Sequence, residues 1–292
     1  MINIIITSYG EPESTLKCID SFLSQEIKDL YKITIIDPFP ETEKLLKKKY
    51  KGKVDFFLDP GEGKSYALNV FLEKIYSKNK DDLIIFTDGD VHVSQNVVSE
   101  FQKHFQDEKI GCVTGKPVSL DEKNNMFGFW SHLLFEGIHR TREKISNKQD
   151  FFECSGYLFA IRNGVLKGFP IEVSEDGIIS HLFYKQGYKI KYVPEAEVYV
   201  LNNYNWKNWK KQKIRNIKGH ENYNLVAPDM QRTKSFFNEI KQGTTFALKY
   251  PQTMKERYWT ALLFLARLDI YLKVLYEIKI KKKTYSDGWR GE

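Results

Sequence analysis

Ile84-Ile85-Phe86-Thr87-Asp88-Gly89-Asp90 is a short apolar run that stops on two carboxylates separated by one glycine. With Leu83 before it, the run suits a strand covered on both faces, which needs no polar alternation. Outward from it, Ile2–Ile6, Ile33–Ile36, Val54–Leu58 and Cys112–Thr114 have the same character. Between the first two, Leu16, Ile19, Phe22 and Leu23 recur at helical spacing, which predicts a helix over Ser14–Gln25 with Ser14 as its N-cap. Ala67, Leu68, Phe71, Leu72 and Ile75 predict another over Ser65–Tyr76. Strands alternating with helices imply βαβ units and a mainly parallel, Rossmann-like sheet. Ligands of such sheets sit at the carboxyl ends of the strands, where Asp88 and Asp90 fall.

Past Thr114 the pattern predicts helices over Met126–Lys144 and Asp176–Lys185, and strands over Tyr157–Ile161, Lys189–Val193 and Glu197–Leu201. From Trp206 only helical blocks follow, at 206–220, 234–249 and 253–283. The expected organisation is an α/β body over 1–205, with halves of about 1–115 and 116–205. A helical extension over 206–292 docks on it. Of the 292 residues 41% are hydrophobic and 14% aromatic, enough for a large core, which excludes general disorder. The net charge of +7 is unevenly placed. Residues 203–292 hold 19 basic and 8 acidic side chains, net +11, against 26 and 30, net −4, in residues 1–202. Such asymmetry points to a polyanionic partner. Met1 runs directly into an apolar strand without a basic leader, and Trp259–Tyr276 is broken by Arg267, Asp269 and Lys273. Cys18, Cys112 and Cys154 are not in metal-ligand spacing. The expectation is a cytoplasmic protein, peripheral to a membrane at most, with reduced core thiols.

Two hard oxygen donors at Asp88 and Asp90 suit Mg²⁺ or Mn²⁺ shared with a diphosphate, although Asp-Gly-Asp is also an ordinary turn. Glu175-Asp176 opens a helix, where acids are favoured by the dipole alone or serve as a general base. Gly61-Glu62-Gly63-Lys64-Ser65 lacks the first glycine of a P-loop, Leu58 standing in its place; Lys64 at a helix start still suits a phosphate. Trp206–His220 interleaves Trp206 and Trp209 with Lys207, Lys210, Lys211, Lys213, Arg215 and Lys218. No nucleic-acid motif accompanies it, so a diphosphate or anionic lipid is the better fit and nucleic acid the minor one. His220 reads as an ordinary polar or capping residue rather than a ligand.

Taken in order, these segments resemble family 2 glycosyltransferases of the GT-A fold over residues 2 to about 220. Ile5-Ile6-Thr7-Ser8-Tyr9-Gly10-Glu11-Pro12-Glu13 and Cys18–Gln25 are similar to that family's first strand, nucleotide loop and helix. Gly63–Asn69 resembles the stretch before the central strand, and Asp88-Gly89-Asp90 its Asp-x-Asp signature. Cys154-Ser155-Gly156 resembles the donor-sugar pocket, Glu175-Asp176 the Glu-Asp pair with Gly187–Lys189 and Val193–Ala196 after it, and Gln212–Asn216 the Gln-x-x-Arg-Trp box. The resemblance implies nucleotide or donor contacts at Thr7, Tyr9, Glu11, Asp37, Lys64, Asp88, Gly156, Gln212 and Arg215, with Asp37 on the uracil ring. It implies a Mn²⁺ or Mg²⁺ ion on Asp90 and Asp88, and proton removal by Asp176, with Glu175 second. The implied reaction is inverting transfer from a UDP-sugar to a hydroxyl of a glycan or lipid-linked glycan. Gly10, Pro38-Phe39-Pro40 and Asn216 depart from the pattern, and the membrane helices of processive synthases are missing, so one or a few sugars are expected per acceptor.

Asp269, Lys273, Glu277 and Lys281 form a polar stripe in the last block, whose remaining faces are apolar. That helix either packs on the body or lies at a membrane interface with Lys281–Lys283 on anionic lipid. A nucleotidylyltransferase and a catalytically inactive nucleotide-sugar-binding relative remain alternatives. The first should carry a Gly-rich basic loop where Thr7-Ser8-Tyr9-Gly10-Glu11 stands.

Overall fold

β1 (Ile2–Thr7) leads into α1 (Pro12–Leu23), β2 (Tyr31–Asp37) into α2 (Pro40–Tyr50), and β3 (Asp55–Leu58) into α3 (Lys64–Ile75). β4 (Leu83–Asp88) ends on the first acid of the pair, followed by β5 (Val91–Val93), α4 (Val97–His104) and β6 (Ile110–Ser119). Then come α5 (Met126–Asn147), β7 (Leu158–Arg162), α6 (Glu175–Lys185) and β8 (Lys189–Val200). The chain closes with α7 (Trp206–Val226), α8 (Phe236–Lys249) and α9 (Met254–Lys279). The structure, a computed structural model, describes residues 1–171, 173–202, 205–231 and 236–282. Lys283, the last residue of the basic run Lys279–Lys283, lies outside the described residues.

The eight strands form one sheet in the order β3-β2-β1-β4-β7-β6-β8-β5. β1 to β4 pair in parallel, as do β6 and β8. β7 runs antiparallel between β4 and β6, and β5 antiparallel on β8. This is the mixed, mainly parallel sheet flanked by helices that the alternation predicts. The register sets Thr7 beside Asp88, bringing the loop after β1 to the acidic end of β4.

The apolar runs are continuous because both sheet faces are covered. On β1, Ile4 and Ile6 pack with Cys18, Ile19, Phe22 and Phe101, whereas Ile5 faces Leu68, Phe86, Phe159 and Phe183. A third cluster joins α5, α7 and α9 through Phe129, Trp130, Trp209, Ile217, Leu263 and Ile270. Cys18, Cys112 and Cys154 are free and buried, as expected.

Four local expectations are corrected. Ser14 lies inside α1, which starts at Pro12; its hydroxyl donates back to the Glu11 carbonyl instead of capping. The two strands after α6 are one, because a register shift between Gly115 and Lys116 of β6 lets β8 continue past Pro194. α2 went unpredicted because only Thr42, Leu46 and Tyr50 of its 11 residues are buried, too narrow a stripe among charges. α4 and β5, of 8 and 3 residues, are too short for periodicity to register.

Arg162, 3% exposed, ties the sheet to the α4–β6 connection. Its guanidinium donates to the carbonyls of Ile110 (2.7 Å), Phe105 (2.7 Å), Asp107 (2.9 Å) and Lys80 (3.2 Å). Arg162→Met leaves these oxygens without their donors and is expected to lower unfolding free energy by about 3 kcal/mol. Urea denaturation followed by circular dichroism measures it; an unchanged midpoint would refute the assignment.

Candidate active site

Asp88 stands where the apolar residues of β4 run out, and its surroundings are built by close packing. The Thr7 hydroxyl donates to Asp88 Oδ1 at 3.1 Å, and the Gly89 amide donates to the Thr7 carbonyl at 2.7 Å. A Cβ on Gly89 would lie 2.9 Å from Thr15 Oγ1 and 3.1 Å from Ser8 Cβ, so the β1–α1 loop fits only with glycine between the acids. Lys64, the first residue of α3, sets its ammonium 2.6 Å from Asp88 Oδ1 and 2.5 Å from Glu175 Oε1. Burial opposes charge on Lys64, but the two carboxylates outweigh it and hold the ammonium well above its ordinary pKa. Asp90 keeps a water-facing edge. Desolvation by the cleft walls, then the charges of Asp88 and Glu11, push its carboxyl up to about 7, with Lys64 pulling the other way.

Across the cleft, Ser174-Glu175-Asp176 starts α6 and the structure separates the two acids. Glu175 is buried on Lys64. Asp176 Oδ1 accepts from the Gly177 amide at 2.9 Å and from the Ser174 hydroxyl, and Oδ2 accepts from the Gly156 amide at 2.9 Å. Asp176 is thus a helix-end acid that also fixes the Ser155–Gly156 turn at the cleft wall. The Cys154 and Ser155 amides donate to Ser180 Oγ (3.0 Å) and Thr114 Oγ1 (2.9 Å), so that turn is held from behind.

α7 supplies the third wall. Gln212, Arg215, Asn216, Gly219 and His220 recur at three- and four-residue spacing along the face lining the cleft. Trp209 and Ile217 lie in the cluster shared with α5 and α9. The basic residues of the helix divide accordingly. Lys210 pairs with Asp269 and Lys218 with Glu277 at 2.5 Å, while Lys213 and Arg215 face the cleft.

His220, read from sequence as an ordinary polar residue, lines the cleft with Nδ1 3.1 Å from Oε2 of the buried Glu153. Its ring packs against Tyr223, whose hydroxyl donates to the Ser174 carbonyl at 3.0 Å. A Cβ on Gly177 would fall 2.0 Å from Tyr223 Oη, so α7 meets the start of α6 only with glycine there. Glu153 and Tyr223 were missed by sequence reasoning. The available signal was an acid inside the apolar run Phe151-Phe152-Glu153-Cys154, which needs a partner when buried.

One cleft of about 320 Å³ therefore brings together Thr7, Tyr9, Glu11, Lys64, Asp88, Asp90, Gly156, Glu175, Asp176, Gln212 and Arg215. Asp37 does not join that lining. It is fully buried, accepting from the Gly10 amide at 3.2 Å and the Phe39 amide at 2.8 Å, so it shapes the Tyr9–Gly10 loop from below. A separate cavity of about 660 Å³ among α5, α8 and the start of α9 is lined by none of these residues. Among the described residues no group of three or more His, Cys, Asp and Glu forms a full metal-ligand set. Asp88 and Asp90 fit a divalent ion that takes its other oxygens from phosphate and water, since their repulsion is what a cation relieves.

A mixed sheet with an acid pair at the end of its central parallel strand, facing acids at a helix start, defines a GT-A fold. The chain belongs to the glycosyltransferase-like family 2, whose family profile matches residues 2–219. Among solved structures, it is similar to S. aureus TarS 1-349 in complex with UDP-GlcNAc, at 13% identity and TM-score 0.51, covering 98% of this chain and 93% of that one. A second S. aureus TarS structure is 13% identical over 94% of this chain and 55% of that chain, with TM-score 0.50. GalNAc-T7, solved with UDP, GalNAc and Mn²⁺, is 17% identical with TM-score 0.49; the match covers 86% of this chain and 58% of GalNAc-T7. No curated protein matches the chain significantly.

The raised Asp90 carboxyl gives a pH test. Its folded pKa of about 7 exceeds the ordinary 3.8, so its contribution to stability is present at low pH and is lost as pH rises through about 7. Metal-free protein should lose melting temperature from about pH 4 to about pH 7 relative to Asp90→Asn and level off above, because only between the ordinary and the folded pKa does the native state hold the extra proton. Mn²⁺ affinity should rise over the same interval, because the proton competes with the ion. Differential scanning fluorimetry across pH checks both; parallel curves for wild type and Asp90→Asn would refute the assignment.

Proposed function

We propose that the protein is a metal-dependent, inverting glycosyltransferase that moves a sugar from a nucleotide-sugar, UDP-sugar favoured, to a hydroxyl of a glycan or lipid-linked glycan. The observation that carries this reading is the opposition, in one cleft, of Asp88 and Asp90 on β4 to Asp176 on α6. Family membership supports the reaction class, and similarity to a TarS structure solved with UDP-GlcNAc supports a uridine nucleotide.

The residues divide the chemistry as follows. Thr7, Tyr9 and Glu11 line the end of the cleft formed by the β1–α1 loop, where the nucleoside would lie. Lys64, Arg215 and Gln212 converge on the place for a diphosphate, which needs cations and donors as its charge grows. A Mn²⁺ or Mg²⁺ ion held by Asp90 and Asp88 would supply further neutralisation of that charge. Gly156 presents backbone to the sugar. The acceptor oxygen bonds to the anomeric carbon as the carbon–oxygen bond to the diphosphate breaks and its electron pair leaves with the nucleotide. The acceptor proton passes to Asp176 Oδ2, which the Gly156 amide orients. A single displacement of this kind inverts the anomeric centre.

Asp176 is preferred over Glu175 because the Lys64 ammonium sits on Glu175 and stabilises it as an anion. The acid pair and Asp176, gathered in one cleft, also favour an active enzyme over an inactive binding relative. Among the described residues no helix is long and apolar enough to cross a membrane. We place the protein in the cytoplasm, peripheral to a membrane, on the support of three free buried cysteines and the exposed side of α9 considered below.

Asp176→Asn should lower kcat by about 10³-fold while leaving donor KM within ~3-fold, as removal of a general base does. Nucleoside diphosphate release with saccharide acceptors measures it, and wild-type turnover would refute the base assignment. UDP with Mn²⁺ should raise the melting temperature more than GDP with Mn²⁺ or UDP alone. Equal shifts would remove the support for a uridine donor.

A further inference from the structure

α9 buries one side and leaves the opposite side apolar. Leu263, Ala266, Ile270 and Val274 pack into the body. Leu265, Leu268, Leu272 and Leu275, together with Tyr258 and Tyr276, are exposed, each by 43% or more. A helix apolar on two opposite sides needs cover on both, and the body covers only one. At ~1.5 Å per residue the stretch from Tyr258 to Tyr276 runs about 27 Å, a ridge along one side rather than scattered surface leucines.

The charges of the same helix identify what covers that ridge. Its three acids are engaged within the protein: Glu256 caps the helix by accepting from the Gln252 and Thr253 amides, Asp269 pairs with Lys210, and Glu277 with Lys218. Lys255, Arg257, Lys273 and Lys279 of the helix and Lys281 and Lys282 just past its end are exposed, Lys273 lying 4.0 Å from Glu277. The leucine spacing of three, four and three would also suit a second helix. Two copies of this chain, however, would set basic rims against each other while the acids that could answer them are held by α7.

We propose that α9 docks in the plane of an anionic lipid surface, its leucine ridge at the acyl boundary and its lysines among the headgroups. Docking of this kind holds the cleft beside a membrane without any spanning helix. It is independent of the transfer chemistry, since it needs neither donor nor metal.

The test is co-sedimentation of the full chain, without nucleotide, on phosphatidylcholine vesicles with and without about 30% phosphatidylglycerol. The wild type should pellet with the anionic vesicles at low salt, stay in solution with the neutral ones, and be released as salt rises. Leu265→Gln/Leu272→Gln should weaken partitioning by about 10-fold or more while keeping the wild-type melting temperature, because both side chains already face water. Lys279→Gln/Lys281→Gln should lose the preference for anionic vesicles. Absence of binding at low salt, or equal binding by the leucine variant, would overturn the proposal. So would a wild-type dimer in sedimentation velocity that the leucine variant dissolves, which would assign the ridge to a second copy.

Discussion

The ammonium of Lys64, set between Asp88 and Glu175, is the contact on which the cleft depends. The end of β4 and the starts of α6 and α3 all point at one volume, and two of these elements bring carboxylates. Without a cation between them, Asp88, Asp90, Glu11, Glu175 and Asp176 would confront one another in a partly dehydrated space, where like charges repel far more than in water. With Lys64 in place, the acids acquire different characters from one residue to the next. Asp88 and Glu175 pair directly with the ammonium, while Asp90, beside Asp88 and outside that pairing, is pushed toward protonation. Asp176 is oriented by amides and by Ser174 instead. Environment, not residue type, assigns the work.

The same division explains why so much of the molecule was legible in its sequence. A strand with both faces covered is mostly apolar, so β1, β2 and β4 announce themselves, and the acids at the end of β4 stand out because only Thr87 breaks the apolar run before them. Helices with a wide buried face, such as α1 and α3, show their period. α2 did not, because only three of its eleven residues are buried and they stand among many charges. The first turn of α1 was misplaced because Pro12 fixes the start more strongly than the hydroxyl of Ser14 can.

Less was legible where function depends on pairs far apart in sequence. Glu153 and His220 are 67 positions apart, and neither signals the other. Asp37 shows the converse. Its place at the end of β2 drew attention as a nucleotide contact, yet the turn through Pro38 brings the Phe39 amide, and the β1–α1 loop the Gly10 amide, onto its carboxylate. A buried acid surrounded by backbone donors is satisfied before a ligand arrives, so position at a strand end selects candidates and geometry decides among them.

Charge balance along the chain acquires a structural meaning in α7. A helix carrying Lys207, Lys210, Lys211, Lys213, Arg215 and Lys218 would be repelled from a basic neighbour, but α9 turns Asp269 and Glu277 toward it. Those pairs, with Trp209 and Ile217 in the shared cluster, fix the rotation of α7 about its axis. Once that rotation is fixed, Gln212, Arg215 and His220 face the cleft, because helical geometry leaves them no other side. The acids of α9 thus act at a distance: by holding two lysines of α7 they aim its remaining polar face at the acidic cleft. The basic side chains of α9 itself are left outside. An excess of +11 in the last 90 residues is therefore divided between a cleft that gathers acids and an outer surface that has none of its own to spare.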